Sequence, residues 1–328
     1  MNLIAAIETG LRAALGPTAA AYALLAIGLN VHYGFTGLLN FGQVGFMLVG
    51  AYGVGISVAV LGWSLWVGIL MAIVAAVLLA LLLGAPTLRL RADYFAITTI
   101  AAAEVLRLVF NSNSAVRLTG GPFGLQSIAG EFYRVNPLNR GLTWGPFNYS
   151  VNVTWTLLVG WGLAVAMSVV VFLLMKSPWG RVMRSIREDE DAARALGKNV
   201  FSYKLQSLAL GGVMGGLGGV VYTLAGSTVN PNSFRPQITF YAYAMLIIGG
   251  IASKFGPLFG AFIFWFLLQS MSALVRQAAS QDLLPGWLSG SAAVGGSAFV
   301  LTGLLLALLV VFRPQGLFGN KREIALDA

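Results

Sequence analysis

The chain has 328 residues, of which 58% are apolar and 9% charged; Lys and Arg outnumber Asp and Glu 20 to 11, giving a formal charge of +9 and a mean hydropathy of +0.82. An ordinary soluble domain carries roughly 25% charged residues, so polar groups cannot cover this surface and lipid must do so. The absence of cysteine excludes disulfides, thiolate catalysis and Cys-ligated metal.

Charge position says more than charge number, because an ionised side chain at the bilayer centre costs at least about 2.5 kcal/mol. No Asp, Glu, Lys or Arg occurs between Arg12 and Arg89, Arg140 and Lys176, Lys204 and Arg235, Arg235 and Lys254, Lys254 and Arg276, or Asp282 and Arg313. The basic residues fall in short loops beside these gaps, the positive-inside pattern, rather than in a patch for nucleic acid. Met1 to Gly16 lacks a basic n-region and carries Glu8, so no cleavable signal peptide is expected there.

In chain order the predicted spans are Pro17 to Val31, Phe41 to Leu61, Trp66 to Leu83, Tyr94 to Phe110, Val151 to Met175, Leu205 to Gly226, Ile238 to Ile251, Pro257 to Leu274 and Ser297 to Phe312. The expected fold class is all-α: a polytopic transmembrane helical bundle of eight to ten spans, some broken or re-entrant, in one permease domain over 1–328. Val31 to Gly55 is crowded with glycine and carries Asn40 and Gln43, the composition of a broken helix and a candidate pathway lining. His32, the only histidine, cannot make a metal site alone and reads as a loop or helix-end residue.

Glu104 and Arg107 lie one helical turn apart within a span and pair with each other, as a structural ion pair or in an outer vestibule. The segment 111–150 follows, rich in Gly, Pro and aromatics, with Thr119, Gly120 and Gly121 near its start; it reads as an ordered outer contact surface or a connector. Residues 176–204 hold seven of the 20 basic and four of the 11 acidic residues, which places this loop in the cytoplasm. Within it Pro178 suits a first helical turn. The acids Glu188 to Asp191 complement the N-terminal dipole of a second short helix, and Gly197 suits its left-handed cap. Ala192 with Leu196, and Ala193 with Gly197, fall on one face as a small apolar strip. Such a helix suits either insertion into a partner's cleft or a position on anionic lipid.

Further on, Gly211, Gly215 and Gly219 recur every four residues, with Gly212 and Gly216 on the adjacent strip, a spacing for close helix packing or for lining a pathway. Gly249, Gly250, Gly256 and Pro257 mark a helix break, and Phe255 to Gly260 faintly repeats Phe41 to Gly45. Paired interruptions in two halves point to a transport site built from discontinuous helices. The tail from 313 to 328, with Arg313, Lys321 and Arg322, belongs to the cytoplasmic side. No Gly-x-x-x-x-Gly-Lys-Ser/Thr occurs, so no phosphate cradle is recognisable.

The stretches GLLNFGQVGFMLVGAYG (37–53), LRLRADYFAITTIAAAEVLRLVFN (88–111), LTGGPFGL (118–125), SPWGRVMRSIREDEDAARALG (177–197), GGIASKFGPLFGA (249–261) and FRPQGLFG (312–319) resemble the permeases of branched-chain (hydrophobic) amino acid ABC importers, of the LivM-type subunit. The resemblance implies a non-enzymatic transport subunit in the inner membrane that works with a second homologous permease, two ATPase subunits carrying ATP and Mg²⁺, and an extracytoplasmic substrate-binding protein. It implies no cofactor on this chain. It assigns the coupling helix to 177–197, with Arg184, Arg187, Glu188, Ala192, Ala193, Leu196 and Gly197 as the ATPase-facing candidates, and puts the 118–125 stretch near delivered substrate. A sister permease for urea, short amides or simple sugars is the alternative, and a motor-less secondary transporter or channel the rival of another class.

Overall fold

The computed structural model describes residues 3–145, 147–281, 291–313 and 315–319. Pro146, Asp282, Lys321 and Arg322 lie outside the described residues, so the expected tail is described only to Gly319. In hydrocarbon a backbone N–H or C=O must be satisfied inside its own segment, and the long uncharged runs accordingly fold as helices. In order these are α1 (Leu3–Leu15), α2 (Pro17–Leu29), α3 (Gln43–Gly55), α4 (Leu65–Thr87) and α5 (Ala92–Phe110). A connecting segment follows with α6 (Val116–Thr119), β1 (Leu125–Gln126), α7 (Gly130–Arg134), β2 (Thr143–Trp144) and β3 (Phe147–Asn148). Then come α8 (Val151–Lys176), α9 (Pro178–Glu188), α10 (Glu190–Ala195), α11 (Val200–Gly226), β4 (Thr228–Val229), α12 (Gln237–Gly249), α13 (Gly256–Ser280) and α14 (Ser291–Phe312).

Each predicted span has a helix at its place. The sequence reading omitted α1, which packs along α13 so closely that a Cβ on Gly10 would stand 2.0 Å from Ser270 Oγ. Among the described residues five helices are long and apolar enough to cross a membrane, and seven if two bent pairs each count once. Over the described residues this measure is lower than the expected eight to ten, in part because breaks shorten the helices: α2 and α12 are each 13 residues long, and α1 meets α2 at 54°. Two π-helical turns, Asn30–Gly34 and Ile56–Val60, prolong α2 and α3.

The segment 111–150 is ordered by pairing. β1 runs antiparallel to β4, with Leu125 opposite Val229, and β2 with β3 forms a hairpin. These strands and the turn at Gly120 gather at one end of the bundle. α9, α10 and the turn carrying Arg89 and Arg91 gather at the other, here the basic end.

α11 is the packing centre, set against α2, α3 and α4. Its glycines bring backbones into contact: an added Cβ would lie 2.4 Å from Gly28 O at Gly211, 2.6 Å from Ala21 O at Gly218 and 2.0 Å from Met47 O at Gly219. Where lipid is as apolar as leucine, such close approach is what holds helices together. α4 and α8 instead present large apolar side chains outward, among them Leu70, Leu78, Leu82, Leu158 and Leu173.

Gly219→Leu is therefore expected to abolish a monodisperse folded species in detergent chromatography. Gly162→Leu, where an added Cβ meets nothing within 4 Å, should elute as the parent does.

Candidate functional site

Between α2 and α3 the chain leaves helical geometry over residues 37–42 at the basic end, with Leu38, Asn40 and Gly42 buried and Gly37 exposed. An interrupted helix exposes backbone donors and acceptors, and each one left unpaired away from water costs about 1–3 kcal/mol. Side chains from the surrounding helices satisfy them. Phe41 N–H donates to Thr99 Oγ1 of α5 (3.2 Å), and Val44 N–H donates to Thr239 Oγ1 of α12 (3.0 Å). Gly42 N–H donates to Asn40 Oδ1 (2.9 Å). Thr36 Oγ1 donates to Val31 O (2.9 Å) and lies 2.7 Å from Ser207 Oγ of α11. Gly34 O accepts from Arg187 Nη1 of α9 at 2.6 Å.

A second chain of bonds runs through the break. His32 Nε2 lies 3.1 Å from Leu208 O, and a carbonyl can only accept, so Nε2 carries the proton. Nδ1 is then left to accept from Asn40 Nδ2 (3.1 Å), whose other hydrogen goes to Gln43 Oε1 (3.1 Å). Gln43 Nε2 donates in turn to Gly211 O (3.0 Å). Every direction in this relay is fixed by a backbone carbonyl at each end, so the imidazole is held neutral. Asn40, Gln43 and His32 are all fully buried. His32 lies at a helix end, as expected, in the π-helical turn that prolongs α2, and there it is a buried structural member of the break.

The break at Gly249 and Gly250 lies against the first one. α12 ends at Gly249 and α13 begins at Gly256, with Gly250 at φ 101° and Ala252 at φ 59° between them. Asn30 joins the two breaks, its Nδ2 donating to Ser253 O (2.8 Å) and its Oδ1 accepting from Ala252 N–H (3.0 Å). The C-terminal stretch covers the second break, with Leu317 N–H donating to Ile248 O (2.8 Å). Pro257 sits in the first turn of α13, where it removes no intrahelical bond.

α9 closes the first break from below. Met183 and Ile186 are buried, Met183 Sδ lies 4.0 Å from Thr36 Oγ1, and Arg187 fills the space beside Gly37, at φ 74°. Arg184 caps the end of α8 through Met175 O (2.9 Å). α10 is capped by Asp189, whose Oδ1 accepts from the N–H groups of Asp191 and Ala192, both 2.9 Å. Glu190 gathers Arg194 (2.9 Å) and Lys204. Gly197 takes the left-handed conformation, φ 76°. The predicted apolar strip is split: Ala193 is buried against Ile186 and Val200, whereas Leu196 is 78% exposed and Glu188 and Ala192 are exposed beside it. The geometry of a six-residue helix rooted by Ala193 turns the neighbouring positions outward. A cavity of about 260 Å³ between α9, α10, the α4–α5 turn and the break is lined by Gly37, Phe95, Arg91 and Arg187, among others, so the seam beneath the break is not filled.

At the other end, Arg107 holds Glu104 through Nε (2.9 Å) and Nη2 (2.6 Å), and its Nη1 donates to Asn232 Oδ1 (3.1 Å). Thr119 is buried, donating to Phe110 O (2.7 Å). An added Cβ on Gly120 would lie 2.0 Å from Gly124 O. Thr119, Gly120 and Gly121 therefore build a tight turn that thrusts Phe123 outward, 84% exposed. They are not gathered with Asn40 and Gln43. No group of three or more metal-ligating side chains occurs among the described residues.

Residues 15–312 match the model of a family described as the permease component of branched-chain amino acid transport systems. The chain is similar to the high-affinity branched-chain amino acid transport permease LivM of Escherichia coli (strain K12), with 30% identity over 312 residues covering 92% of this chain and 68% of that one. A probable branched-chain amino acid transport permease LivM of Methanocaldococcus jannaschii is 26% identical over 92% of this chain and 91% of its own length. A guanosine ABC transporter permease of Bacillus subtilis is 29% identical over 73% of this chain and 74% of its own.

Thr99→Val and Thr239→Val keep volume but orphan the N–H groups of Phe41 and Val44. Each is expected to lower stability by about 1–3 kcal/mol, read as a lower apparent Tm in detergent. Thr98→Val, at an exposed threonine that bonds only its own helix, should leave the Tm unchanged.

Proposed function

The chain belongs to the branched-chain amino acid transport permease family, and from that membership we propose that it forms the membrane pathway of an ATP-driven importer for branched-chain or hydrophobic amino acids. It works beside a second homologous permease, two ATPase subunits that bind ATP and Mg²⁺, and an extracytoplasmic substrate-binding protein. It sits in the cytoplasmic membrane with the basic end toward the cytoplasm, as the positive-inside pattern requires, and with the turn at Gly120 outside.

The observation that carries the reading is the bond from Arg187 to Gly34 O. α9 and α10 present Glu188, Ala192 and Leu196 to a partner on one side. On the other, α9 is anchored in the backbone of the interrupted helix pair. A push on α10 thus reaches the break without crossing any flexible connector. Nucleotide can shift the permease between conformations only if the ATPase binds one of them better, and this seam is where a difference in α9 position would be felt.

We take as the pathway wall the aromatic cluster beside the first break. Phe41 packs with Phe240 and Tyr243 at 5.6 and 5.0 Å between ring centroids, and Phe240 is half exposed. Apolar side chains of a substrate are matched by such a wall better than urea or a sugar would be. A purine nucleoside is the second reading, favoured by the guanosine permease of Bacillus subtilis and by the capacity of these rings to stack.

Reconstituted in vesicles with its cognate partners, the protein should take up radiolabelled leucine only when ATP is supplied, and excess guanosine should not compete. Guanosine uptake without leucine uptake would replace the reading. Arg187→Gln is expected to cut uptake at least about tenfold, the loss of roughly 1.4 kcal/mol of coupling, while vesicle ATPase activity persists. Leu196→Asp should instead weaken recovery of the ATPase with the permease on affinity purification. Uptake at the parental rate in both variants would remove α9 and α10 from the coupling path.

A further inference from the structure

The basic end carries a second arrangement that the coupling path does not use. Lys176, the last residue of α8, and Lys254, in the loop before α13, both place Nζ over the ring of Phe172, at 4.2 and 4.7 Å from its centroid. Both lysines are exposed, and neither forms an ion pair with a carboxylate among the described residues. Two ammonium groups set against one ring repel each other, and the ring's attraction for each does not neutralise their charge. An anion bound beside the ring would.

The surroundings select the kind of anion. Phe172 stacks on Phe255 at 6.0 Å, and Phe259 on Phe318 at 4.6 Å. Phe255, Phe259 and Phe318 are 39%, 48% and 51% exposed. Phe255 and Phe259 lie one turn apart at the start of α13, and Phe318 of the C-terminal stretch stacks on Phe259, so the two cations stand beside an exposed aromatic surface. A small free anion would use the cations and ignore that surface. An amphiphile with a phosphate head and acyl chains matches both.

We infer that Lys176, Lys254 and Phe172 form a binding site for the phosphate of an anionic membrane phospholipid, whose acyl chains lie along Phe255, Phe259 and Phe318. The site joins α8, the helix that leads into α9, to the loop that Asn30 ties to the first break. It stands independently of which solute the permease carries.

The test uses the full chain purified in neutral detergent and exchanged into mixed micelles containing phosphatidylglycerol and phosphatidylcholine in equal amounts, with bound lipid counted by native mass spectrometry. The parent should retain phosphatidylglycerol preferentially, and the double variant Lys176→Gln/Lys254→Gln should lose that preference by at least about tenfold, at about 1 kcal/mol per lysine near a membrane surface. The double variant Arg181→Gln/Lys198→Gln removes the same charge from exposed positions at the same end and should retain the preference. An equal loss in that control would mean diffuse attraction to the basic end and would overturn the site. Displacement of phosphatidylglycerol by millimolar inorganic phosphate would show that the cations read a free anion, and would overturn the lipid assignment. Both double variants are compared by melting temperature without lipid. Should the lysine double variant melt early, the single variants Lys176→Arg and Lys254→Arg, which keep charge and packing, must retain the preference for the site to stand.

Discussion

The structure turns on one constraint: a chain that reverses between two helices inside the bundle must find partners for the backbone groups that the turn frees. Each unmet N–H or C=O away from water is costly, and here side chains supply the partners. Here they come from four different helices. Thr99, Thr239, Ser207 and Arg187 bring α5, α12, α11 and α9 to the gap between α2 and α3. The break is thus cross-linked to four helices by directional bonds. The glycines of α11 belong to the same logic, because Gln43 and His32 reach Gly211 O and Leu208 O only where no Cβ intervenes.

Hydropathy and charge spacing made the helices legible, since lipid imposes length and apolarity on each one separately. Gly37, Gly42 and Gly45 likewise announced the first break, and Gly249, Gly250 and Gly256 the second. What the one-dimensional pattern could not show was that the breaks touch. Asn30 looks like one polar residue among many, and its partners lie more than 220 positions away. A lone histidine signals neither a metal site nor catalysis, and its place in a buried network is not visible from that residue by itself. The better signal was the run Asn30, His32, Thr36, Asn40, Gln43: five uncharged polar residues within a stretch otherwise free of them, which only a mutual network can keep buried. α1 escaped notice because, at 13 residues, it is too short to span and is held by its contact with α13.

The short helices at the basic end show the limit of periodicity. Spacing put Ala193 with Gly197 and Ala192 with Leu196, which is correct geometry for an isolated helix. It did not say which strip faces inward. Ile186 and Val200 supply an apolar socket on one side only, so Ala193 is drawn in and Leu196 is left out. A small residue rooted inside and a leucine projecting outside make a knob on a rigid base, whereas a uniform smooth strip would have offered no anchor.

The two breaks are joined by Asn30 into one hydrogen-bonded unit, since it holds both Ala252 and Ser253. Arg187 ties α9 to Gly34, and Gly34 packs so tightly against the second break that an added Cβ would lie 2.8 Å from Ala252 N. In the proposed coupling, a displacement of α9 would therefore be felt at the start of α13. Packed interiors do not deform smoothly but move between discrete arrangements. The space of about 260 Å³ beneath the break is room into which α9 can shift without breaking the hydrogen bonds above it. On this reading the same bonds that make an interrupted helix tolerable in lipid also make it a transmission. The turn between α2 and α3 requires side-chain partners, and it is this requirement that gives α9 something to hold through Arg187.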